Sequence, residues 1–323
     1  MSISCRIGLL RLADSAPVLV ARSMGFFDRH GLDVEPVIVP SWANIADGLV
    51  WNGLDGAVMF PPLAIMTALG QRGRPVALRP GLPVSRGGNM IVLRGQAEAQ
   101  AQWQSGRDKH TAFTNWAQSL GRKPRLGVVH LYSTHYLILT RFLQDHAICR
   151  DTETEIVIMP PSSMIQALAT GEIDGFCAGP PWGADACLKN LAFVVAGSAQ
   201  VMPGHLEKIL TLRDQWASEN PDGAARLYAA VRDAAALCNQ PAHAAEITKL
   251  LSAPLNAEGL DLPYEALKRI MPGTPDAPDA MLFDTQPRST RSSCGWMIED
   301  MQREGWLTPT QLGTLSQLGW YND

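Results

Sequence analysis

Five residues combine a polar or aromatic group with a position at a strand end, a helix start or a turn. Trp42 brings an indole N–H and a flat apolar face, Asn89 an amide, and His135 an imidazole. Gly179 brings a backbone N–H with no side chain over it, and Lys208 an ammonium. Recognition of a small buried ligand needs this kind of set: a few donors placed among apolar walls. Each residue also has an ordinary structural use. Trp42 can be packing, Asn89 and Gly179 turn residues, His135 a helix cap, and Lys208 a solvated surface charge.

Catalytic patterns are missing from the chain. It contains no Gly-x-Ser-x-Gly, no Gly-x-x-x-x-Gly-Lys-[Ser/Thr] and no His-Glu-x-x-His. His130 and His135 are five positions apart, which does not place both on one helix face, so they make a poor metal pair. Gly87-Gly88-Asn89 reads as a turn and lacks the dinucleotide fingerprint. Cys177 is the one candidate nucleophile, and its place in an apolar strand favours buried packing over reactivity. The expectation is a non-enzyme with no cofactor and no metal.

The elements that must position these residues follow from the hydrophobic pattern. Strands are predicted at Cys5–Leu10, Leu32–Val39 and Asp55–Met59. Helices follow each of them, the first from Pro17 to Met24 with Asp14 or Ser15 as its cap, the next from Ser41, and a third from Pro61-Pro62. The same grammar returns with strands at Arg125–Val129, Glu155–Met159 and Ile173–Ala178, and helices at Ser133–Leu143 and Ser162–Thr170. Asn52-Gly53-Leu54-Asp55-Gly56 and Thr170-Gly171-Glu172-Ile173-Asp174-Gly175 are matching turns in the two blocks. Further helices are expected at Gln96–Asn115, Asp214–Asn239, Ala244–Leu251 and Trp296–Leu307, and a loop at Pro272–Pro278. Trp296, Trp306 and Trp320 are assigned to the core. Repeated βα units imply an α/β protein of two lobes, each a mostly parallel sheet flanked by helices, with a ligand cleft between them.

Composition agrees with a globular chain. Of 323 residues, 46% are hydrophobic and 18% charged, which excludes wholesale disorder. Lysine and arginine number 27 and aspartate and glutamate 31, a net charge of −4, so no bulk attraction to nucleic acid or to an anionic membrane is expected. Membrane insertion is not expected either, since no run nears the ~20 apolar residues of a span. Arg6, Arg11 and Asp14 interrupt the opening segment, which holds no secretory signal run of roughly 7–15 apolar residues. The six cysteines form no Cys-x-x-Cys pair. The expectation is a cytoplasmic protein, with the periplasm as the alternative if a signal has been removed.

Several segments, in order, resemble the nitrate- and bicarbonate-type solute-binding proteins of ABC transporters. They are Ala13-Asp14-Ser15-Ala16-Pro17, Gly25-Phe26-Phe27, Pro40-Ser41-Trp42-Ala43-Asn44-Ile45, Ser133-Thr134-His135, Pro160-Pro161-Ser162-Ser163-Met164, Cys177-Ala178-Gly179-Pro180-Pro181-Trp182, Gly204-His205-Leu206-Glu207-Lys208 and Arg213-Asp214-Gln215-Trp216. The resemblance spans residues 6–310 and implies a periplasmic-binding-protein-like fold of type II. Its lobes would be residues 1–90 plus 200–323 and residues 91–199, closing on a small oxyanion. Trp42, Asn89, His135, Gly179 and Lys208 fall on the family's anion-site positions, and Pro180 stands where the family carries Glu. Bicarbonate-binding relatives tend to carry an acidic residue at the position of Lys208, so the resemblance implies nitrate or nitrite as ligand. On this reading Lys208 supplies the charge, and protonation of His135 raises affinity on acidification. The family's cytoplasmic branch implies a nitrate/nitrite sensor that restrains an RNA-binding antiterminator of nitrate assimilation. The alternative is the solute-binding subunit of an ABC transporter, whose partner is the permease. A small-molecule enzyme using the same cleft is the third possibility.

Overall fold

Among the described residues, eleven strands in two sheets organise the chain. A computed structural model describes residues 2–106, 108–273, 277, 280–286 and 289–321. The first sheet has six strands in the order β11-β4-β10-β3-β1-β2. They are β1 (Ile3–Leu9), β2 (Leu32–Ile38), β3 (Gly56–Met59), β4 (Leu82–Gly87), β10 (Leu206–Leu212) and β11 (Met281–Phe283). The second sheet, in the order β7-β6-β8-β5-β9, holds β5 (Met90–Arg94), β6 (Arg125–Val128), β7 (Glu155–Ile158), β8 (Gly175–Ala178) and β9 (Ala192–Gly197). Helices pack on both, as the alternation of βα units requires.

The two βαβ blocks pair in parallel: β1 with β2 and β3, and β6 with β7 and β8. The remaining ladders are antiparallel, with β10 between β3 and β4, β11 on β4, and β5 between β8 and β9. Both sheets are therefore mixed rather than mostly parallel. The reason lies in the two crossings between them, β4 to β5 and β9 to β10. Parallel neighbours need a long crossover, and the strands on either side of these short connections are free to join by antiparallel ladders.

The first crossing is only Gly88-Asn89. Gly87 and Gly88 have φ of +65° and +86°. A Cβ on Gly87 would sit 2.4 Å from the Ala280 carbonyl oxygen, so the turn admits glycine and little else. The crossings are tied to each other: Ser198 N–H donates to Asn89 O at 2.8 Å and Asn89 N–H to Ser198 Oγ at 3.1 Å. Asn89 thus sits where the chain passes from one sheet to the other.

Other differences from the sequence reading have local causes. Gln96–Asn115 forms two helices, Ala97–Ser105 and Lys109–Ser119, the second begun by Asp108 as cap. Asp214–Asn239 breaks at Asn220, with Pro221 starting a new helix to Cys238. Asp14 and Ser15 do not cap the helix Ala16–Ser23. The Ser15 hydroxyl donates to Leu10 O at 2.9 Å, and Asp14 turns inward to Ser85. Trp320 is fully buried, while Trp296 and Trp306 are half-buried against the core. Part of the Pro272–Pro278 loop lies outside the described residues.

Candidate functional site

Lys208 belongs to β10, a strand buried along its whole length, and is itself fully buried. The ladder between β10 and β4 slips between Leu206 and Ile209. Such a bulge breaks strict alternation of side chains, and the neighbours Glu207 and Lys208 come side by side. Lys208 Nζ donates to Glu207 Oε1 at 2.5 Å and lies 3.7 Å from Asp14 Oδ2. It also stands 5.6 Å and 5.7 Å from the ring centroids of Trp42 and Phe60.

Two serine caps bring the aromatic donors to this ammonium. Ser41 accepts from Asn44 N–H and starts the helix Trp42–Val50 just beyond β2, which sets Trp42 in the first turn. Ser133 accepts from Tyr136 N–H at 3.0 Å and sets His135 in the first turn of the helix Thr134–Asp145. Trp42 packs on Phe60 at 4.2 Å between centroids, and Phe60 meets the His135 ring edge-on at 5.8 Å. Gly179 follows β8 directly. A Cβ there would stand 3.4 Å from His135 Nε2 and 3.5 Å from Asp14 Oδ2. Trp42, His135, Gly179 and Lys208 therefore converge from both sheets.

Asn89 joins the group through Glu207. Its Nδ2 donates to Glu207 Oε2 at 2.7 Å, while Thr134 Oγ1 donates to Glu207 Oε1 at 2.6 Å. Glu207 is thus bonded to a β10 neighbour, to the first crossing and to a helix of the second sheet. Sequence reasoning missed Glu207, Asp14, Ser85 and Phe60. The signal for Glu207 stood beside Lys208: a buried lysine requires an opposite charge.

The charges follow from this packing. Burial raises the Glu207 carboxyl, but the Lys208 ammonium outweighs it and, with the two neighbouring histidines, holds the pKa at about 2. Burial pushes His135 down to about 3, with Glu207 opposing. His135 is therefore a neutral ring near neutral pH, and acidification toward pH 5 does not charge it, contrary to the sequence expectation. The charge of Lys208 is likewise not free for a ligand, because Glu207 already shares it. Burial also raises the Asp14 carboxyl, against the pull of Lys208.

Trp42 Nε1, both His135 ring nitrogens, Asp14 Oδ2 and Asn89 Oδ1 are buried with no hydrogen-bond partner among the described residues. Indole and imidazole N–H groups beside a lysine ammonium, walled by Trp42 and Phe60, suit a small, flat molecule rich in acceptors. A cavity of about 290 Å³ is lined by Leu10, Arg11, Ile38–Pro40, Pro161, Ser162 and Leu255, and by none of the five candidate residues. Cys177 is fully buried, and burial together with Glu207 lifts its thiol well above the ordinary value, which makes it inert as a nucleophile. Among the described residues no group of three or more His, Cys, Asp or Glu is arranged to hold a metal ion. No described helix is long and apolar enough to cross a membrane.

A family model described as NMT1-like matches residues 2–252. The chain belongs to the NMT1-like family. A bicarbonate transport ATP-binding protein, CmpC of Synechococcus elongatus, is 35% identical over 253 residues, 77% of this chain and 37% of its own length. The chain thus spans little more than a third of that relative. The nitrate/nitrite binding protein NrtA of the same organism is 29% identical over 252 residues, 76% of this chain and 57% of that protein. The crystal structure of the periplasmic nitrate-binding protein NrtA from Synechocystis superposes with a TM-score of 0.86 at 22% identity, covering 99% of this chain and 86% of that one. The alkanesulfonate-binding protein SsuA from Xanthomonas axonopodis, bound to MOPS, superposes at 0.70 with 12% identity, covering 94% of each chain. The fold is that of the periplasmic binding proteins, and the four proteins named here are, by their names, binding or transport proteins.

Proposed function

We propose that this NMT1-like chain binds a small planar oxyanion, nitrate or nitrite, between its two sheets and acts as a sensor. Residues 1–90 with 200–323 close on residues 91–199 around the anion. Closure changes the surface offered to an RNA-binding antiterminator of nitrate assimilation in the cytoplasm. The observation that carries the reading is the set of buried, unpartnered N–H groups of Trp42 and His135 beside Lys208. A buried donor without an acceptor costs about 1–3 kcal/mol, and an anion whose oxygens all accept relieves that cost. Asn89 and Thr134 hold Glu207, which fixes the ammonium in place. The backbone of Gly179 completes the ring of donors.

The match to part of a bicarbonate transport ATP-binding protein supports a link to the handling of small oxyanions. The likeness to NrtA supports the second reading, the solute-binding subunit of an ABC transporter that hands its anion to a permease.

The test is calorimetry with nitrate, nitrite, bicarbonate and chloride on the wild-type chain and on Lys208→Glu. Nitrate or nitrite binding that is lost in the variant supports the reading, and no heat with any of the four overturns it. Nitrate-dependent release of a purified antiterminator then separates sensor from transporter subunit.

A further inference from the structure

Charge at the centre of the site does not balance for an anion. Asp14 and Glu207 carry two carboxyl groups against the single ammonium of Lys208, and all three are buried. With Glu207 held ionised on Lys208 at 2.5 Å, that pair is neutral. An ionised Asp14 leaves one net negative charge before any ligand arrives, and a monoanion makes it two. Among the described residues no other buried cation faces this pair: His135 and His205, which face Glu207 at 3.3 Å and 3.6 Å, are both pushed by burial toward the neutral form.

Hydrogen bonding gives a second, independent mismatch. Asp14 Oδ1 accepts from the Ser85 hydroxyl. Oδ2 has no hydrogen-bond partner among the described residues; it is ion-paired with Lys208 Nζ at 3.7 Å and lies beside the Gly179 backbone, on the side of His135 Nε2. An ionised carboxylate only accepts, and nitrate only accepts. Two acceptor-only groups that face each other directly in a buried site repel unless a donor lies between them. The groups around Asp14 are thus Ser85 from β4, Glu207 and Lys208 from β10, His135 from the helix Thr134–Asp145 and the Gly179 backbone after β8. Further back, the Cys177 thiol is held neutral by burial.

We infer that Asp14 is a specificity-determining residue of the site: it carries a proton on Oδ2 when the anion is bound, and donates that proton as a hydrogen bond to the ligand. This rests on the oxyanion reading above. The site therefore takes an anion and a proton together, and it is built for ligands that accept everywhere. Burial raises the Asp14 carboxyl in the direction this requires. Asn at position 14 reproduces the arrangement without a titrating group, its amide oxygen toward Ser85 and its NH₂ toward the anion.

The experiment is calorimetry with sodium nitrate on the full chain, from about pH 5 to about pH 9, in buffers of differing ionisation enthalpy. The expected result is an affinity that falls with rising pH, approaching about tenfold per pH unit, with proton uptake rising toward one per nitrate. Asp14→Asn is expected to bind nitrate with no such pH dependence and no proton uptake. Wild-type binding that is flat in pH and takes up no proton overturns the inference while leaving the oxyanion reading intact. A slope that persists in Asp14→Asn overturns it by placing the proton elsewhere, on His135. Absence of nitrate binding in the wild type removes the oxyanion reading and this inference together. The wild-type proton count stands whether or not the variant folds.

Discussion

Arg141 sits on the helix Thr134–Asp145 beside the second sheet and forms a bidentate pair with Asp300 of the helix Gly295–Arg303, at 2.6 Å and 3.0 Å. The latter helix packs against the helix Pro61–Ala68 of the first sheet. The pair therefore joins helices that flank the two sheets. Asp300 is 5% exposed and Arg141 25%. Hydrogen bonds to charged groups contribute about 1.5–3 kcal/mol each when protected. Solvent at the arginine reduces the pair to about 1–2 kcal/mol. If the pair exists only when the lobes are closed, Arg141→Met weakens anion binding by that amount, about 5- to 30-fold. Nitrate calorimetry on the wild type, Arg141→Met, Asp300→Asn and the double variant measures it, with the double variant little worse than either single one. Unchanged affinity accompanied by a lower melting temperature refutes the reasoning, because the pair would then survive opening and belong to the framework.

Three further outcomes are expected. Trp42→Phe keeps the aromatic wall and removes the indole N–H, so nitrate affinity drops about 2- to 10-fold by calorimetry while the melting temperature holds. Gly179→Val fills the space between His135 Nε2 and Asp14 Oδ2, and should abolish nitrate binding with the far-ultraviolet circular dichroism unchanged. Acid stability has a definite sign. His135, His130 and His205 all have folded-state pKa values below the ordinary one, about 3 for His135 and about 4 for His130. Below about pH 6.5 the unfolded chain binds more protons, so their contribution is lost as pH falls toward those folded values. Thermal unfolding between about pH 7 and about pH 4 should show a falling melting temperature, with a shallower slope in His135→Asn. An equal slope in that variant assigns the acid sensitivity elsewhere.

The two βαβ blocks were legible because their strands alternate or run apolar and the third strand of each starts at an Asp-Gly turn, and the observed limits differ from those read by at most two residues. The connecting strands were not. β10 contains Glu207, Lys208 and Thr211, all fully buried, and a sequence pattern weighs charged residues as exposed when only their pairing makes burial possible. β4 and β5 flank a Gly87-Gly88-Asn89 turn that reads as a loop, and the crossing between sheets is visible only once both ladders are formed. At the site, Trp42, His135, Gly179 and Lys208 lie close together. Asn89 lies one step back, bonded to Glu207. Asp14 read as a cap because its segment resembles a helix start. Its inward turn to Ser85 depends on β4, 71 residues later in the chain.

Nuclear magnetic resonance of the indole N–H groups gives the most direct test that this cluster binds an oxyanion. The chain has nine tryptophans, and the Trp42 signal is the one missing from Trp42→Phe. On titration with nitrate that signal should move downfield to saturation, as an unpartnered N–H acquires an acceptor. Nitrate binding that leaves the Trp42 signal unmoved, or no response to nitrate at any indole, contradicts the account.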